Sequence, residues 1–331
     1  MLRLLCKLTF WLCLARESLP AQPAAASQYG GPAGATGYFR LWVANDVLQG
    51  RDQYYTGGMR LEYASPWCGN TPLRYLLVSL GKDAAPLYGF TLVADAFTPT
   101  VIGTAEVQAN NRPYAGYLYA GYLYAGQFLV SRLPHHRLTL TTRVNVGVMG
   151  PPAGMQRVQR GIHQWLDLER PRGWRNQVGT SLLMDYALQA AHPVRSPFGW
   201  LGLTVQARAR AGTLHNYLDL GTTVRVGTPD APGRKRQAGR SPLAGPRFHA
   251  FWQSEGKWVG YNATLQGGLG RSRSRYTRRR DQVSRTVLGH TAGLVFSFGN
   301  LRIEGTQAWV SREFEGGGAH RWNALDLGLF F

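Results

Sequence analysis

The residues best suited to chemistry lie in the first half of the chain. Gln159 and His163 are four residues apart, so on a helix they would share a face about one turn from each other. Asp46 and Thr56 carry oxygen atoms of the kind that bind a hard cation such as Ca²⁺. An imidazole beside a carboxylate and such a cation is suited to general-base catalysis. A single histidine in a loop is more often ordinary polar surface, so this hypothesis requires a fold that brings the four residues together.

The segments that would position these residues alternate between two kinds of side chain with a period of two, which is typical of β-strands. Residues 38–46, 137–148 and 200–211 each place apolar side chains on one face and mostly polar or small ones on the other. In 55–64 the same pattern places Tyr55 on the apolar face. Repeated strands of this kind favour a membrane barrel, whose apolar face meets lipid and whose polar face lines the lumen.

The sequence therefore predicts an all-β fold, a transmembrane antiparallel β-barrel of about twelve strands with a short helical segment in an outer loop. The helical segment, which includes Gln156 and Glu169, follows the fifth strand, and Gly173-Trp174 would open the sixth. We interpret 262–268 as a loop rather than a further strand, and the alternation that ends at Phe331 resembles the signal read by outer-membrane assembly machinery. The expected strands cover 37–47, 54–66, 86–97, 114–131, 136–149, 176–191, 198–213, 216–228, 246–259, 283–298, 300–311 and 321–331.

The start of the chain is typical of a secretory signal, with positive charge before a short apolar run and a small-residue cleavage site. We expect a signal peptide at 1–26 and a barrel domain at 27–331. Cys6 and Cys13 would leave with the signal, so the remaining Cys68 could form neither an intramolecular disulfide nor a cysteine metal site. The apolar run is shorter than the roughly 20 residues that a membrane-spanning helix needs.

The chain is strongly basic, with a formal net charge of +19. Such a charge indicates an acidic partner, and for a membrane barrel we expect lipid phosphates and no nucleic acid. Basic runs occur at 233–240 and at 271–280, and the second contains six arginines. If the N-terminus is periplasmic, the connection after the ninth strand faces outward. We therefore expect 271–280 to contact lipopolysaccharide phosphates, with a solvated loop as the alternative.

The same strand parity places the unusual polar and glycine-rich clusters at the outer end of the barrel, which indicates a site there. In order, these clusters resemble the lipid A 3'-O-deacylase family of outer-membrane proteins. The resemblance rests on Val43-Ala-Asn-Asp46, Tyr55-Thr56-x-Gly58, Arg112-Pro-Tyr-Ala-Gly116, Gly147-Val-x-Gly-Pro151, Gln159-x-x-x-His163 and Gly173-Trp-x-x-Gln177. It implies a twelve-stranded barrel of the bacterial outer membrane that removes the 3'-linked acyloxyacyl group of lipid A by calcium-dependent hydrolysis. We expect the barrel to be a monomer.

The resemblance also implies roles for individual residues. His163 would be the base that activates water. The other catalytic residues would be Asn45, Thr56 and Gln159, and the calcium ligands would be Asp46, Thr56 and Glu169. No Gly-x-Ser-x-Gly motif is present, which favours direct attack by water over an acyl-enzyme.

Three positions depart from the family pattern. Asn111 stands where Asp is common, Ser181 stands where an acidic residue is expected, and Asp95 lies upstream of a Thr-Pro pair that has no evident basic neighbour. Two alternatives therefore stay open. One is a catalytically silent barrel that serves as a channel or structural protein. The other is an outer-membrane phospholipase, which would pair a His with a Ser nucleophile at one end of the barrel, and the sequence offers no convincing pair.

Overall fold

The computed structural model describes residues 35–46, 52–79, 86–129, 137–194, 196–228, 245–268 and 276–331. Within them, twelve antiparallel strands form a closed barrel in which each strand pairs with its sequence neighbours and the last pairs with the first. The strands are β1 Tyr38–Asn45, β2 Tyr54–Ser65, β3 Leu87–Thr98, β4 Ala115–Leu129, β5 Arg137–Met149, β6 Ser181–Val194, β7 Leu201–Gly212, β8 His215–Gly227, β9 Arg247–Asn262, β10 Thr286–Phe298, β11 Leu301–Val310 and β12 His320–Phe330. The α-helices are α1 Met155–Leu166 and α2 Ala263–Gln266.

The barrel and its strand number confirm the prediction, and the boundaries differ in a few places. Gly173 and Trp174 do not open β6, because both pack against Tyr114 and belong to a separate 3-10 turn. Helix α1 ends before Glu169, and the predicted loop after β9 contains α2. In the described parts of the chain, no helix has the length and apolar character to cross a membrane. The predicted signal peptide and the basic run 233–240 lie outside the described residues.

The barrel interior is filled with charged side chains in ion pairs. Arg210 Nη2 lies 2.6 Å from Asp185 Oδ2, and Arg143 Nη2 lies 2.9 Å from Glu62 Oε2. Further pairs join Arg208 to Asp219 and Glu255, Arg40 to Asp326, and Arg302 to Glu304. Almost all of these side chains are buried. A wide aqueous channel would leave them accessible to water, so this packing disfavours the channel alternative.

The lipid-facing direction predicted for the Tyr55 side chain is wrong. The register of β2 against β3 shifts between Tyr55 and Gly57, which is a β-bulge. The bulge turns Tyr55 into the barrel, where its hydroxyl donates to Asp95 Oδ1 at 2.9 Å and its ring contacts Trp322. Thr56 is buried next to it. The bulge therefore breaks the simple alternation at the end of β2 where the predicted site begins.

The two ends of the barrel carry different connections. The longest one, residues 150–180, joins β5 to β6 and contains α1. Because outer-membrane barrels carry their longer loops outside, we call this end the outer rim. The opposite end, the inner rim, carries the connection between β2 and β3 at residues 66–86.

Candidate active site

Helix α1 lies against the lipid-facing side of the wall at the outer rim. Gly154, with a φ of 75° in the left-handed region, leads the chain into the helix. Gly116 on β4 allows the close approach, because a Cβ there would lie 2.5 Å from the Cβ of Met155. Met155, Gln159 and His163 recur at every fourth position and form the buried face of α1. The helix therefore turns its two candidate catalytic side chains toward the barrel.

Asp52, in the connection between β1 and β2, is the centre of the site. Its Oδ2 lies 2.9 Å from His163 Nε2 and accepts a hydrogen bond from Gln159 Nε2 at 3.0 Å. Its Oδ1 accepts from Thr56 Oγ1 at 2.7 Å and from Thr98 Oγ1 at 3.4 Å. One carboxylate thus joins α1 to the ends of β2 and β3.

Two residues position this cluster without entering its centre. Asn45 Nδ2 donates to the backbone carbonyl of Thr56 at 2.9 Å and so holds the bulged end of β2. Trp174 is fully buried, and its Nε1 donates to Gln159 Oε1 at 2.5 Å, which leaves the amide nitrogen of Gln159 to face Asp52. A direct contact between Asn45 and a substrate stays a prediction.

The hydrogen bonds of His163 define its basic nitrogen. Nδ1 lies 2.5 Å from the backbone carbonyl oxygen of Glu169, which can only accept, so Nδ1 carries a proton. Nε2 is therefore the basic nitrogen, and it faces Asp52. Burial lowers the pKa of His163, but the hydrogen bonds to Asp52 and to the Glu169 carbonyl, with the charges of both carboxylates, raise it above its ordinary value. A proton between Nε2 and Asp52 satisfies both groups in this state.

Asp46 lies beside this cluster, just beyond the end of β1, and is buried. Its Oδ2 accepts from the backbone N–H of Gln53 at 2.7 Å, but its Oδ1 has no hydrogen-bond partner among the described residues. Burial and the charge of Asp52 raise the pKa of Asp46 well above its ordinary range. A cation would stabilise such a carboxylate. A cavity of about 300 Å³ opens here, lined by Asp46, Gln53, Trp309, Val310, Ala319, His320 and Arg321.

Glu169 was predicted to bind calcium through its carboxylate, but the structure shows a different contact. It bonds His163 through its backbone, while its exposed side chain lies against Gly103. A calcium role for the Glu169 carboxylate therefore stays a prediction. Across the part of the chain that the structure describes, no three His, Cys, Asp or Glu side chains gather into a metal centre.

The motif that begins at Arg112 closes the outer rim. The buried Arg112 guanidinium donates to Glu313 Oε2 and to Thr264 Oγ1, both at 2.7 Å. It also lies 4.3 Å from the ring centroid of Phe97. Asn111 accepts from the backbone N–H of Arg112 at 2.8 Å, so this departure from the family pattern has a local structural role. Through these contacts Arg112 joins the β3–β4 connection to α2 and to the β11–β12 connection.

Sequence reasoning found most of the cluster but missed Asp52. The available signal was its place four residues before Thr56, in a connection already assigned to the outer end. The other two departures are structural: Asp95 faces the lumen, and Ser181 packs against Gly268 at the start of β6. Both lie outside the hydrogen bonds of Asp52. The structure therefore joins Gln159, His163 and Thr56 through a residue that the sequence pattern did not single out.

The closed barrel with a polar site between its wall and α1 defines the class of protein, an outer-membrane β-barrel with a candidate active site at its outer rim. A family model described as outer membrane protein LpxR matches residues 8–331, and the chain belongs to that family. The protein is therefore located in the bacterial outer membrane. A comparison with curated proteins gives no match.

Three solved structures match the chain, and the first of them supports the fold. LpxR from Salmonella typhimurium matches with a TM-score of 0.69 and 21% identity over 89% of this chain and 100% of that one, which shows the shared barrel. An outer membrane channel from Pseudomonas putida F1 gives a TM-score of 0.45 and 11% identity over 95% and 100% of the two chains. The β domain of the Bordetella autotransporter BrkA gives 0.42 and 10% over 90% and 100%.

Proposed function

We propose that this protein is a calcium-dependent esterase that removes the 3'-linked acyloxyacyl group of lipid A. The observation that carries the proposal is the cluster of His163, Asp52 and Thr56 between α1 and the wall at the outer rim. Lipid A forms the outer leaflet of the membrane, so its ester bonds lie near the depth of this rim. The ordered motifs shared with lipid A deacylases support the same substrate class.

The residues of the cluster suit direct hydrolysis by water. Water would attack the ester carbonyl carbon while Nε2 of His163 takes its proton and then delivers it to the departing sugar oxygen, which leaves a free acid and a hydroxyl. In this structure Nε2 faces Asp52 Oδ2. The attacking water would therefore occupy the position beside Nε2 that this carboxylate oxygen holds here. Gln159 Nε2, 3.0 Å from the same oxygen, would orient that water. Among the described residues, the hydroxyls of the cluster belong to Thr56 and Thr98, and no serine hydroxyl bonds His163.

Asp46 and Thr56 are the residues that we propose to hold Ca²⁺. The unpartnered Oδ1 of Asp46 and the nearby charge of Asp52 support a cation at this position. Bound Ca²⁺ would supply positive charge for the ester oxygen on which negative charge develops during attack. Asn45 would keep Thr56 in place through the bond to its carbonyl.

The exposed surface of α1 supports a substrate with acyl chains and phosphates. Its outward side combines apolar residues with exposed arginines, namely Val158, Ile162, Trp165, Arg157 and Arg160. Apolar side chains suit acyl chains, and guanidinium groups suit phosphates. In the predicted phosphate-binding run 271–280, the first five residues lie outside the described ones, and Arg279 pairs with Asp281 at 2.9 Å. Phosphate binding by this run stays a prediction.

Mass spectrometry of lipid A from cells that express the protein or His163→Ala tests the proposal. The unaltered protein should yield lipid A without its 3' acyloxyacyl group, and His163→Ala should leave that group in place. His290→Ala, which changes an exposed histidine on β10, is the control and should behave like the unaltered protein. Phospholipids from the same cells are analysed in parallel. Unchanged lipid A together with new lysophospholipid would instead identify a phospholipase.

A further inference from the structure

A segment at the inner rim folds back over the outside of the barrel. Residues 66–79, here called the inner-rim flap, contain two 3-10 turns, and Leu77 packs in a buried cluster with Tyr122 of β4. Tyr122 points away from the lumen, because its neighbour Gly121 is the residue that approaches the lumen side chain of Asn145. The flap therefore covers the lipid-facing side of the wall.

Side chains of the wall satisfy backbone groups of the flap. The Tyr122 hydroxyl donates to the carbonyl of Cys68 at 2.9 Å, and the Tyr186 hydroxyl accepts from the N–H of Val78 at 2.8 Å. Thr142 Oγ1 donates to the carbonyl of Val78 at 3.2 Å. Irregular backbone is tolerated at membrane depth only when its polar groups find partners within the protein. These polar residues on a lipid-facing wall supply such partners.

The outward side of the flap is apolar and aromatic. Trp67 is 69% exposed and Tyr75 is 77% exposed, and Leu73, Leu76 and Val78 are exposed beside them. The Arg74 guanidinium lies 4.8 Å from the Tyr75 ring centroid and donates to its hydroxyl at 2.7 Å. Tryptophan and tyrosine with a nearby arginine are the composition found at the boundary between lipid tails and headgroups.

The uncovered wall next to the flap is too short to span the apolar part of a membrane. Along β3, Phe90 and Leu92 are exposed, but Tyr88 is covered by the flap and Ala94 and Ala96 are covered at the outer rim. These two outward-facing residues occupy about four positions of the strand, which rise about 13 Å, whereas the apolar band of such barrels is about 25 Å tall. We infer that the inner-rim flap lies in the interface of the inner leaflet, with its aromatic face among phospholipid tails and Arg74 at their phosphates.

Spin labelling of the protein in vesicles of phosphatidylethanolamine and phosphatidylglycerol tests this inference. A nitroxide is attached to Tyr75→Cys, and Glu106→Cys, in the exposed β3–β4 connection, is the control. Native Cys68 is fully buried, so the parent protein measures background labelling. The label at 75 should collide several-fold more often with oxygen, relative to a water-soluble nickel complex, than the label at 106. Equal ratios at the two positions would overturn the inference.

A second pair of variants tests how the wall holds the flap. Tyr186→Phe removes the acceptor of the Val78 N–H. In the Tyr75→Cys background it should raise collisions with the nickel complex at least twofold, because the flap loses an anchor on the wall. Tyr63→Phe, a partly exposed tyrosine of β2 that stacks on Phe331, is the matched control and should change nothing. A label that stays shielded from nickel in Tyr186→Phe would contradict anchoring through this bond. Neither measurement depends on enzymatic activity, so both outcomes stand apart from the proposed function.

Discussion

The lumen and the outer rim both contain buried carboxylates, but they satisfy them differently. In the lumen, Asp185 lies 2.6 Å from a guanidinium nitrogen of Arg210, as is typical of paired charges that hold a wall together. At the rim, Asp52 faces a histidine, and Asp46 keeps one oxygen without a hydrogen-bond partner among the described residues. Carboxylates with fixed cationic partners have no charge to offer a ligand, whereas the free oxygen of Asp46 leaves charge available at the rim. The comparison therefore separates structural charge from charge available for catalysis.

The largest expected effect is a loss of stability when an ion pair in the lumen is broken. Arg210→Met leaves Asp185 buried without its guanidinium, which should lower the free energy of unfolding by about 3–5 kcal/mol. Urea unfolding of the folded barrel measures this loss. Arg279→Met, which breaks a largely exposed pair with Asp281, is the control and should change stability little. If Arg210→Met unfolds like the parent, the lumen pairs are not what stabilises the barrel.

The next effect concerns the calcium proposed at the rim. Asp46→Asn should lower kcat/KM on lipid A by about 10²–10³-fold, because the charge that would hold the cation is lost. It should also abolish the rise in unfolding temperature on addition of Ca²⁺. Asp219→Asn changes a lumen carboxylate bonded to Arg208 and should keep the calcium response, although it lowers stability. A calcium response retained in Asp46→Asn would remove Asp46 from the site.

A smaller effect is expected on the pH dependence of activity. Asp52 helps to raise the pKa of His163, and the proposed mechanism requires the neutral imidazole, so activity should appear only as the pH rises through that pKa. Asp52→Asn removes the charge and should lower the pKa, which moves the acidic limb of the pH profile to lower pH. Asp167→Asn, an exposed residue at the end of α1, should leave the limb in place. An unmoved limb in Asp52→Asn would disprove the pairing.

The smallest expected effect is a loss of reaction rate when Gln159 loses the hydrogen bond from Trp174. Trp174→Phe removes the donor to Gln159 Oε1, and a lost buried hydrogen bond of this kind is worth about 1 kcal/mol, or roughly fivefold in rate. Lipid A turnover at saturating substrate measures the change. Trp165→Phe, on the exposed side of the same helix, is the matched control. A drop of the same size in both variants would show that the effect is not specific to Gln159.

Much of the fold was predictable because a barrel strand has two faces in two different surroundings. In β5, Thr141, Arg143 and Asn145 face the lumen as the alternation predicts. Successive side chains of a strand point alternately to the lumen and to the lipid, so this period of two is visible in the sequence without tertiary information. The shared face of Gln159 and His163 was predictable for a similar reason, because a spacing of four residues places two side chains on one face of any helix.

The remainder depends on contacts between residues distant in the chain. Asp52 lies 107 positions from Gln159, and no local pattern marks it as the acceptor of that side chain. The bulge that turns Tyr55 inward depends on pairing with β3, and Arg112 finds Glu313 201 positions away. The sequence by itself therefore determined the strands, the helix and the chemical types at the outer end. Only the pairing of neighbouring strands and the packing of α1 on the wall decided which of those residues meet and which carboxylate oxygen is left without a partner.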